Sequence, residues 1–170
     1  MLANKLGYDY DNNGQFAKQG KVDKELFDIL NGNAYYKQDA PKSLGREFFE
    51  NVQHKIIDES SLSINDLLAT ATEHIAHQIV KSTDNLEKSK MLVTGGGAKN
   101  NFLIERICSL SKHEIVIPDV MITDFKEALI FAFLGVLKME GKINVLSSVT
   151  GASSDSSSGK TYQVELKVES

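Results

Sequence analysis

The feature that most constrains the fold is a short apolar run that breaks into glycines and then restarts as a helix. Residues 91–94 have a strand pattern, and Asn100 or Asn101 can cap the helix that follows. The glycines between them are Gly95, Gly96 and Gly97. Residues 114–118 form a second buried-strand pattern that ends at a proline. Strand, helix and strand in this order predict a parallel pair with a right-handed crossover, and so an α/β domain.

The glycine triplet itself has two interpretations. Glycines let a ligand approach the main chain closely, and the first N–H groups of a helix have no intrahelical partner, which suits a phosphorylated or nucleotide ligand. A tight turn beneath a packed crossover needs the same residues, and the spacing differs from the dinucleotide pattern G-x-G-x-x-G. Spacing alone leaves both interpretations open.

Composition excludes several classes of protein. The chain has 170 residues, 41% of them hydrophobic, which suits one domain or two small ones. A net charge of -4 without a dense Lys/Arg cluster argues against nucleic acid or an anionic membrane as the main partner. The single cysteine, Cys108, excludes an internal disulfide and suits a reducing compartment, and its apolar neighbours predict that it is buried. The longest apolar run, residues 128–137, is too short to span a bilayer, so we expect a cytoplasmic protein.

Two patterns suggest metals, and we favour a plain structural interpretation of both. Residues 9–14 resemble the first half of a calcium-binding EF-hand loop, but Gly20 occupies the position of the bidentate glutamate. A polar turn is the favoured alternative. His74 and His77 are three residues apart and could share a metal, but no third ligand is evident nearby. We therefore predict no metal site and expect solvated or hydrogen-bonded histidines.

Helix-start signals organise the first half of the chain. Asp23 can cap a short helix, and Ser63 opens a capping box before a clear amphipathic helix. Between them, Lys42 and Arg46 flank Ser43 and a glycine. This cluster could clamp an anion. A capped helix start with two solvated cations explains it equally well.

The second half contains a strongly apolar helix. Asp124 is predicted to start it, with Glu127 at the capping-box position. Because residues 128–137 are apolar on every side, the helix is expected to be buried. Glu127 is either a cap or a ligand contact, and the spacing favours the cap. The serine-rich residues 147–158 predict a flexible segment, and residues 162–168 alternate as an outer strand does.

Several motifs together resemble one family, the anhydro-N-acetylmuramic acid kinases, which belong to the actin, Hsp70 and hexokinase superfamily and act in bacterial cell-wall recycling. The matching stretches are residues 8–14, 20–23, 41–48, 93–100, 126–133 and 148–152. Each is weak alone, but their order and spacing make the resemblance fairly specific. It implies an α/β ribonuclease-H-like (actin-like ATPase) domain with a small mixed sheet flanked by helices.

The resemblance also implies an activity. Such kinases use ATP, with Mg²⁺, and a water molecule to open the 1,6-anhydro ring and phosphorylate the 6-oxygen, which gives N-acetylmuramic acid 6-phosphate. The carried-over nucleotide-binding residues on the adenosine side are Gly95, Gly96, Gly97 and Asn100. The carried-over contacts facing the cleft and the amino sugar are Glu127 and residues 41–47, with Lys42, Ser43 and Arg46.

One departure from the family limits what this chain is expected to do. The family's catalytic aspartate lies in a loop just before the point that corresponds to Met1, so no catalytic residue is assigned here. We therefore expect the C-terminal lobe of a two-lobe kinase, inactive alone, whose partners are the N-terminal lobe of the same protein and, in a homodimer, a second copy. Within one domain of residues 1–170 we expect a helical segment (1–62), an α/β core (63–159) and a tail (160–170). The alternative is a non-catalytic nucleotide-sensing or interaction module with the same fold.

Overall fold

The longest helix of the first half, α5 (Ile64–Lys81), is the element against which the neighbouring helices pack in this computed structural model, which describes residues 1–39 and 42–162. The other helices are α1 (Gln15–Gln19), α2 (Lys24–Asn31), α3 (Arg46–Phe48), α4 (His54–Asp58), α6 (Asn101–Leu110), α7 (Val120–Met139) and α8 (Ser147–Thr150). The strands are β1 (Lys90–Leu92) and β2 (Glu114–Val116). Short 3-10 turns cover Ala3–Leu6, Asn12–Gly14, Ala34–Lys37 and Gly96–Lys99, and a π-helix, Phe49–Gln53, joins α3 to α4. The fold is α/β and mostly helical.

The chain divides into two compact units. The first comprises Met1–Lys126 and the second begins at Glu127, so the boundary lies within α7. It coincides with neither of the segment boundaries that we expected at 62/63 and 159/160.

The start of α5 confirms the predicted capping box. The Asp66 N–H donates to Ser63 Oγ at 3.2 Å, and the Ser63 hydroxyl donates to the Asp66 carboxylate at 2.7 Å. The predicted cap of α2 is confirmed as well, because Asp23 accepts from the N–H of Leu26 at 2.8 Å. Both caps satisfy N–H groups that a helix start leaves without partners.

Two apolar clusters in the first unit pack against different parts of α5, one near its start and one near its end. Near its start, Leu67 packs with side chains from the N-terminal helices: Leu2, Leu26, Leu30 and Ile57. Further along, Ala76 and Val80 pack with Ile107 of α6, which is fully buried. Because α5 contributes to both clusters, it connects the N-terminal helices to the strand–helix–strand segment.

The strand–helix–strand prediction is confirmed in its essentials. β1 and β2 pair in parallel, with Met91 opposite Ile115, and α6 connects them. Each strand has three residues, fewer than the pattern predicted. The only sheet among residues 1–39 and 42–162 is this parallel pair, so the expected mixed sheet is not present there. Most of the predicted outer strand at 162–168 lies outside the described residues.

Helix α7 differs from prediction in two ways. It begins at Val120, because the Asp119 carboxylate accepts from the N–H of Ile122 at 2.9 Å, so Asp124 lies inside the helix and Glu127 is not at a capping-box position. The expectation that the helix is buried was also wrong. Leu129 is 60% exposed and Phe133 is 60% exposed. A helix that is apolar on all sides is buried only where other parts of the protein surround it.

The predicted burial of Cys108 was also wrong. Cys108 is exposed, because the next position along α6 points about 100° away from the fully buried Ile107. In the second unit, the serine-rich stretch contains α8. Its first residue, Ser147, donates from its N–H and from its hydroxyl to the Asp155 carboxylate, each at 2.7 Å. These bonds hold the pKa of Asp155 below its ordinary value.

Across the part of the chain that the structure describes, none of the helices combines the length and apolar character that crossing a membrane requires.

Candidate functional site

A cleft of about 520 Å³ opens beside the glycine loop in the first unit. Its walls come from two segments that are far apart in the sequence: the polar turn that precedes α1, and the glycine loop with the start of α6. The lining residues are Tyr10, Asp11, Asn12, Asn13, Gly96, Gly97, Lys99, Asn100 and Leu103. The predicted nucleotide residues Gly96, Gly97 and Asn100 therefore meet at one cavity, and Gly95 lies directly beside it.

The glycine loop is open to this cleft. Gly95 has φ 78° and ψ -172°, a conformation that is essentially restricted to glycine. A Cβ atom added to Gly95 or Gly96 would meet no heavy atom within 4 Å, so neighbouring side chains do not fill the bend. Because Gly96 and Gly97 begin a 3-10 turn, their N–H groups have no intrahelical acceptor.

One short turn separates Gly95 from the α-helix. The 3-10 turn Gly96–Lys99 comes first, and Asn100 then caps α6 by accepting from the N–H of Leu103 at 3.1 Å. The predicted cap is confirmed at Asn100. Since its Oδ1 makes this bond, a ligand contact by Asn100 would come from its amide nitrogen.

The opposite wall is built by a polar turn. The Asp11 carboxylate accepts from the N–H groups of Phe16 and Ala17 at 2.9 and 3.0 Å and so anchors the start of α1. Asn13 has a positive φ of 56°, which asparagine tolerates better than most residues. A Cβ on Gly14 would lie 2.5 Å from Asn100 Oδ1, so glycine is needed where this turn meets α6.

This geometry favours the polar-turn interpretation over the calcium loop. Both oxygens of Asp11 already accept backbone N–H groups. Among residues 1–39 and 42–162, no three His, Cys, Asp or Glu side chains are grouped to hold a metal ion.

The electrostatics of the cleft are close to neutral. Within the described residues, Lys99 is the cation on its lining, and its ammonium pairs with the Asp124 carboxylate at 2.6 Å. Asp11 is the acidic residue on the same lining. The cleft is thus bordered by amide groups, bare backbone and a tyrosine ring, with little positive charge to offer an anion.

The other predicted contacts do not line this cleft. Lys42 donates to the carbonyl oxygen of Gln38 at 2.9 Å and lies 5.3 Å from the centre of the Tyr35 ring. Arg46 pairs with Glu50 at 2.6 Å, and its side chain is 87% exposed. Ser43 is exposed. Residues 40 and 41, which include the predicted cleft-facing proline, lie outside the described residues. Lys42 instead borders a separate pocket of about 360 Å³.

Glu127 belongs to the second unit and is exposed on α7.

His74 takes part in a buried hydrogen-bond network. Its Nδ1 is 2.8 Å from Asn31 Oδ1, and its Nε2 lies 3.1 Å from the Tyr36 hydroxyl and 3.0 Å from Gln53 Nε2. Burial, with a smaller contribution from His77, lowers the pKa of His74 to about 4. His74 is therefore a neutral structural residue, which agrees with the hydrogen-bonded interpretation.

Comparison with known proteins places the chain in a family. The model of the family described as "Anhydro-N-acetylmuramic acid kinase" matches residues 1–164. The chain belongs to this family. Its relatives carry the same name. One from Actinobacillus pleuropneumoniae serotype 7 (strain AP76) is 35% identical over 161 residues, which is 90% of this chain and 44% of the relative. One from Coxiella burnetii (strain Dugway 5J108-111) is 33% identical over 163 residues, 92% of this chain and 44% of the relative.

A third relative extends the comparison. The anhydro-N-acetylmuramic acid kinase of Sulfurovum sp. (strain NBC37-1) is 32% identical over 161 residues, 90% of this chain and 43% of the relative. The chain therefore spans less than half the length of the curated kinases that it matches. The family resemblance drawn from the motifs is confirmed.

Sequence reasoning missed the role of the turn at Tyr10 to Asn13 as the second wall of the cleft. Its residues were analysed as a turn, without a partner in the fold. The available signal was Gly14, because a glycine in a turn provides either a positive φ or space for another segment, and the structure shows both here.

Proposed function

We propose that this chain supplies the adenosine side of the nucleotide site in an ATP-dependent sugar kinase. The complete kinase would open the 1,6-anhydro ring of anhydro-N-acetylmuramic acid with water and phosphorylate the 6-oxygen, yielding N-acetylmuramic acid 6-phosphate in cell-wall recycling. Family membership supports the reaction. The observation that carries the assignment of this chain is the open, glycine-lined cleft at Gly96 and Gly97.

Charge supports the nucleoside, not the phosphates, as the group bound here. An ATP phosphate chain carries several negative charges, and proteins neutralise them with Arg, Lys or a metal ion. The ammonium of Lys99 already faces Asp124. A purine and a ribose are uncharged, however, and match amide groups, bare N–H donors and the exposed ring of Tyr10.

The remaining parts of the reaction are assigned to protein outside these residues. We infer that this chain is the C-terminal lobe of a two-lobe kinase and that its complete lobe has the ribonuclease-H-like fold, which the parallel β1–α6–β2 crossover supports. The general base that deprotonates water would then lie on the other lobe. In the complete kinase we expect Mg²⁺ to be held mainly by the ATP phosphates, with one or two carboxylates of the protein.

The sugar contacts remain a proposal from the family pattern. Glu127, Lys42, Ser43 and Arg46 would face the substrate when the lobes close and exclude bulk water. The exposure of Ser43 and Arg46 leaves both side chains accessible to such a partner.

Titration by two-dimensional NMR tests the nucleotide proposal. Adenosine, ADP and MgATP are added separately to the chain, and we expect shifts at Gly96, Gly97 and Asn13 with Kd values on the order of 1 mM. Because Lys99, the cation on the lining among the described residues, is already paired with Asp124, the three Kd values should agree within about threefold. Gly96→Val should weaken binding about tenfold or more by filling the open side of the loop, a loss of about 1.4 kcal/mol.

Gly135→Val is the matched control. A Cβ at Gly135 also meets no heavy atom within 4 Å, but Gly135 lies on α7 in the second unit. Its adenosine affinity should equal that of the unmodified chain. If no chemical shift changes at the glycine loop, the proposal that a nucleotide binds there is refuted. An ATP affinity about tenfold above that of adenosine would place the phosphates, not the nucleoside, at the loop.

A coupled ADP-release assay with 1,6-anhydro-N-acetylmuramic acid tests whether the general base lies outside this chain. We expect turnover from a polypeptide that also includes the rest of the kinase and none from this chain alone. Sustained turnover by the chain alone would show that the base lies within it.

A further inference from the structure

A buried hydrogen-bond network joins four elements of the first unit around the His74 ring. His74 lies on α5 and is 3% exposed. Its Nδ1 faces Asn31 Oδ1 at the end of α2, at 2.8 Å. Its Nε2 faces the Tyr36 hydroxyl, in the turn Ala34–Lys37, and the Gln53 amide, at the end of the π-helix. Gln53 also donates to the Tyr36 hydroxyl at 2.6 Å, so this turn and the π-helix are tied to each other as well as to α5.

The network has one consistent arrangement of donors and acceptors. The Asn31 amide nitrogen donates to the carbonyl oxygen of Phe27 at 2.7 Å, which leaves its oxygen to accept from Nδ1 of His74. Nε2 of the neutral ring is then an acceptor that faces the Tyr36 hydroxyl and the Gln53 amide. Because buried polar groups are costly to leave unpaired, loss of the Gln53 amide is expected to disturb the position of Tyr36 as well.

The turn and the π-helix also hold the charged side chains of the stretch between them. Lys42 donates to the carbonyl oxygen of Gln38, directly after the turn, at 2.9 Å, and its ammonium lies 5.3 Å from the centre of the Tyr35 ring. Arg46 is the first residue of α3, which continues into the π-helix, and its side chain pairs with Glu50 of that helix at 2.6 Å. The position of Lys42 is therefore set by the turn, and that of Arg46 by the π-helix.

Aromatic contacts reinforce the link between the turn and the π-helix. Phe48 is the last residue before the π-helix, and its ring lies 5.2 Å from the Tyr35 ring and 6.2 Å from the Tyr36 ring, centre to centre. The Tyr36 ring is 5.3 Å from the His74 ring. Aromatic pairs at such separations add to the stability of a contact. The π-helix itself is a rare element that is found frequently at functional sites.

We propose that Tyr36, Gln53 and His74 are positioning residues, which fix Lys42 relative to Arg46 for contact with the amino-sugar substrate. This role rests on the proposed function, in which Lys42 and Arg46 contact the sugar. The three positioning residues act through the turn and the π-helix and do not touch the substrate themselves. Binding groups that are held in place before the substrate arrives lose less conformational entropy when it binds, so the affinity for the sugar depends on the network.

Steady-state kinetics of a polypeptide that includes the rest of the kinase tests this role. Gln53→Leu removes the amide that bonds both Tyr36 and His74, whereas Tyr36→Phe removes one hydroxyl and keeps the ring. We expect the KM for 1,6-anhydro-N-acetylmuramic acid to rise about tenfold in Gln53→Leu and about threefold in Tyr36→Phe, with the KM for ATP within about twofold of the unmodified value. An unchanged sugar KM in Gln53→Leu would overturn the proposal, and so would an equal rise in the ATP KM.

Arg106→Gln is the matched control for a general loss of stability. It breaks the bonds between Arg106 and Glu73, which join α6 to α5 outside the network. Partial unfolding lowers the apparent kcat and leaves KM unchanged, because the molecules that remain folded bind substrate normally. The sugar KM of Arg106→Gln should therefore equal that of the unmodified protein. A rise equal to that in Gln53→Leu would show that stability, not positioning, controls the KM.

Arg46→Ala and Lys42→Ala separate failure of the positioning role from failure of the proposed function. If these two variants raise the sugar KM and Gln53→Leu does not, the positioning role alone is wrong. If neither variant raises it, the proposed sugar contacts are wrong, and the positioning role fails with them. Tyr36→Phe keeps the aromatic packing and so provides the decisive measurement if Gln53→Leu fails to fold, because an unchanged sugar KM in Tyr36→Phe then overturns the proposal.

Discussion

Mild acid should destabilise the first unit through His74. The ring is 3% exposed and is hydrogen-bonded on both nitrogens. With the proton on Nδ1, it donates to Asn31 Oδ1, and Nε2 accepts from the Tyr36 hydroxyl or the Gln53 amide. A second proton on Nε2 would face the Gln53 N–H donor and place a charge in the interior. The network therefore requires the neutral ring.

The size of the effect follows from linkage. The pKa of His74 is about 4 in the folded protein, against an ordinary value of 6.5. Between these values the unfolded chain binds more protons than the folded one, so stability falls as the pH decreases from about 6.5 to about 4. The full difference corresponds to about 3 kcal/mol, and hydration or rearrangement of the charged site reduces it to about 1–3 kcal/mol. Asp66, whose pKa is lowered chiefly by the Lys21 N–H, acts in the more acidic window below 3.8.

Urea unfolding at a series of pH values between about 7 and 4.5 measures this loss. His74→Gln keeps hydrogen-bonding capacity but cannot titrate, so its free energy of unfolding should depend less on pH. His77→Gln, one turn further along α5 and only partly buried, is the control. It should retain most of the pH dependence, because His77 makes only the smaller contribution to the lowered pKa of His74. Equal pH dependence in His74→Gln and the unmodified chain would refute the reasoning. An NMR titration of the His74 ring that gives an ordinary pKa would refute it directly.

Three further substitutions test the site and its support, each measured by urea unfolding. Gly95→Ala should destabilise by about 1–3 kcal/mol through backbone strain alone, since its Cβ meets open space; no change would contradict the positive φ. Asn100→Ala should cost about 0.5–2 kcal/mol by removing the α6 cap, whereas the neighbouring Asn101→Ala should cost little. Arg106→Gln should cost about 1–3 kcal/mol, because Arg106 bonds both Glu73 oxygens at 2.6 and 3.1 Å; a double-mutant cycle that finds no coupling would contradict this.

Most predictions that depend on local chemistry were confirmed, although the predicted start of α7 at Asp124 was not. The caps at Asp23, Ser63 and Asn100 were predicted from residue type and spacing, because a cap involves only the next three or four residues. The parallel pairing of β1 and β2 also followed from element order, since crossover connections have few allowed geometries. The family resemblance came from several such local motifs in a fixed order.

Predictions of burial failed where burial depends on residues that are far away in the sequence. Cys108 and Phe133 are apolar residues in helices, and both are exposed. Hydrophobicity shows that a side chain favours burial, but it does not show whether other protein is present to cover it.

The sequence by itself determined the local elements, their caps, the parallel crossover and the family. Only the tertiary structure decided that the turn at Asn12–Gly14 faces the glycine loop across one cleft, and that Lys99 is paired with Asp124. The physical reason is the separation along the sequence of the residues that determine each feature. Helix caps and strand order depend on neighbouring residues, whereas a cleft and its net charge depend on which distant segments pack together, and that packing is a property of the whole fold.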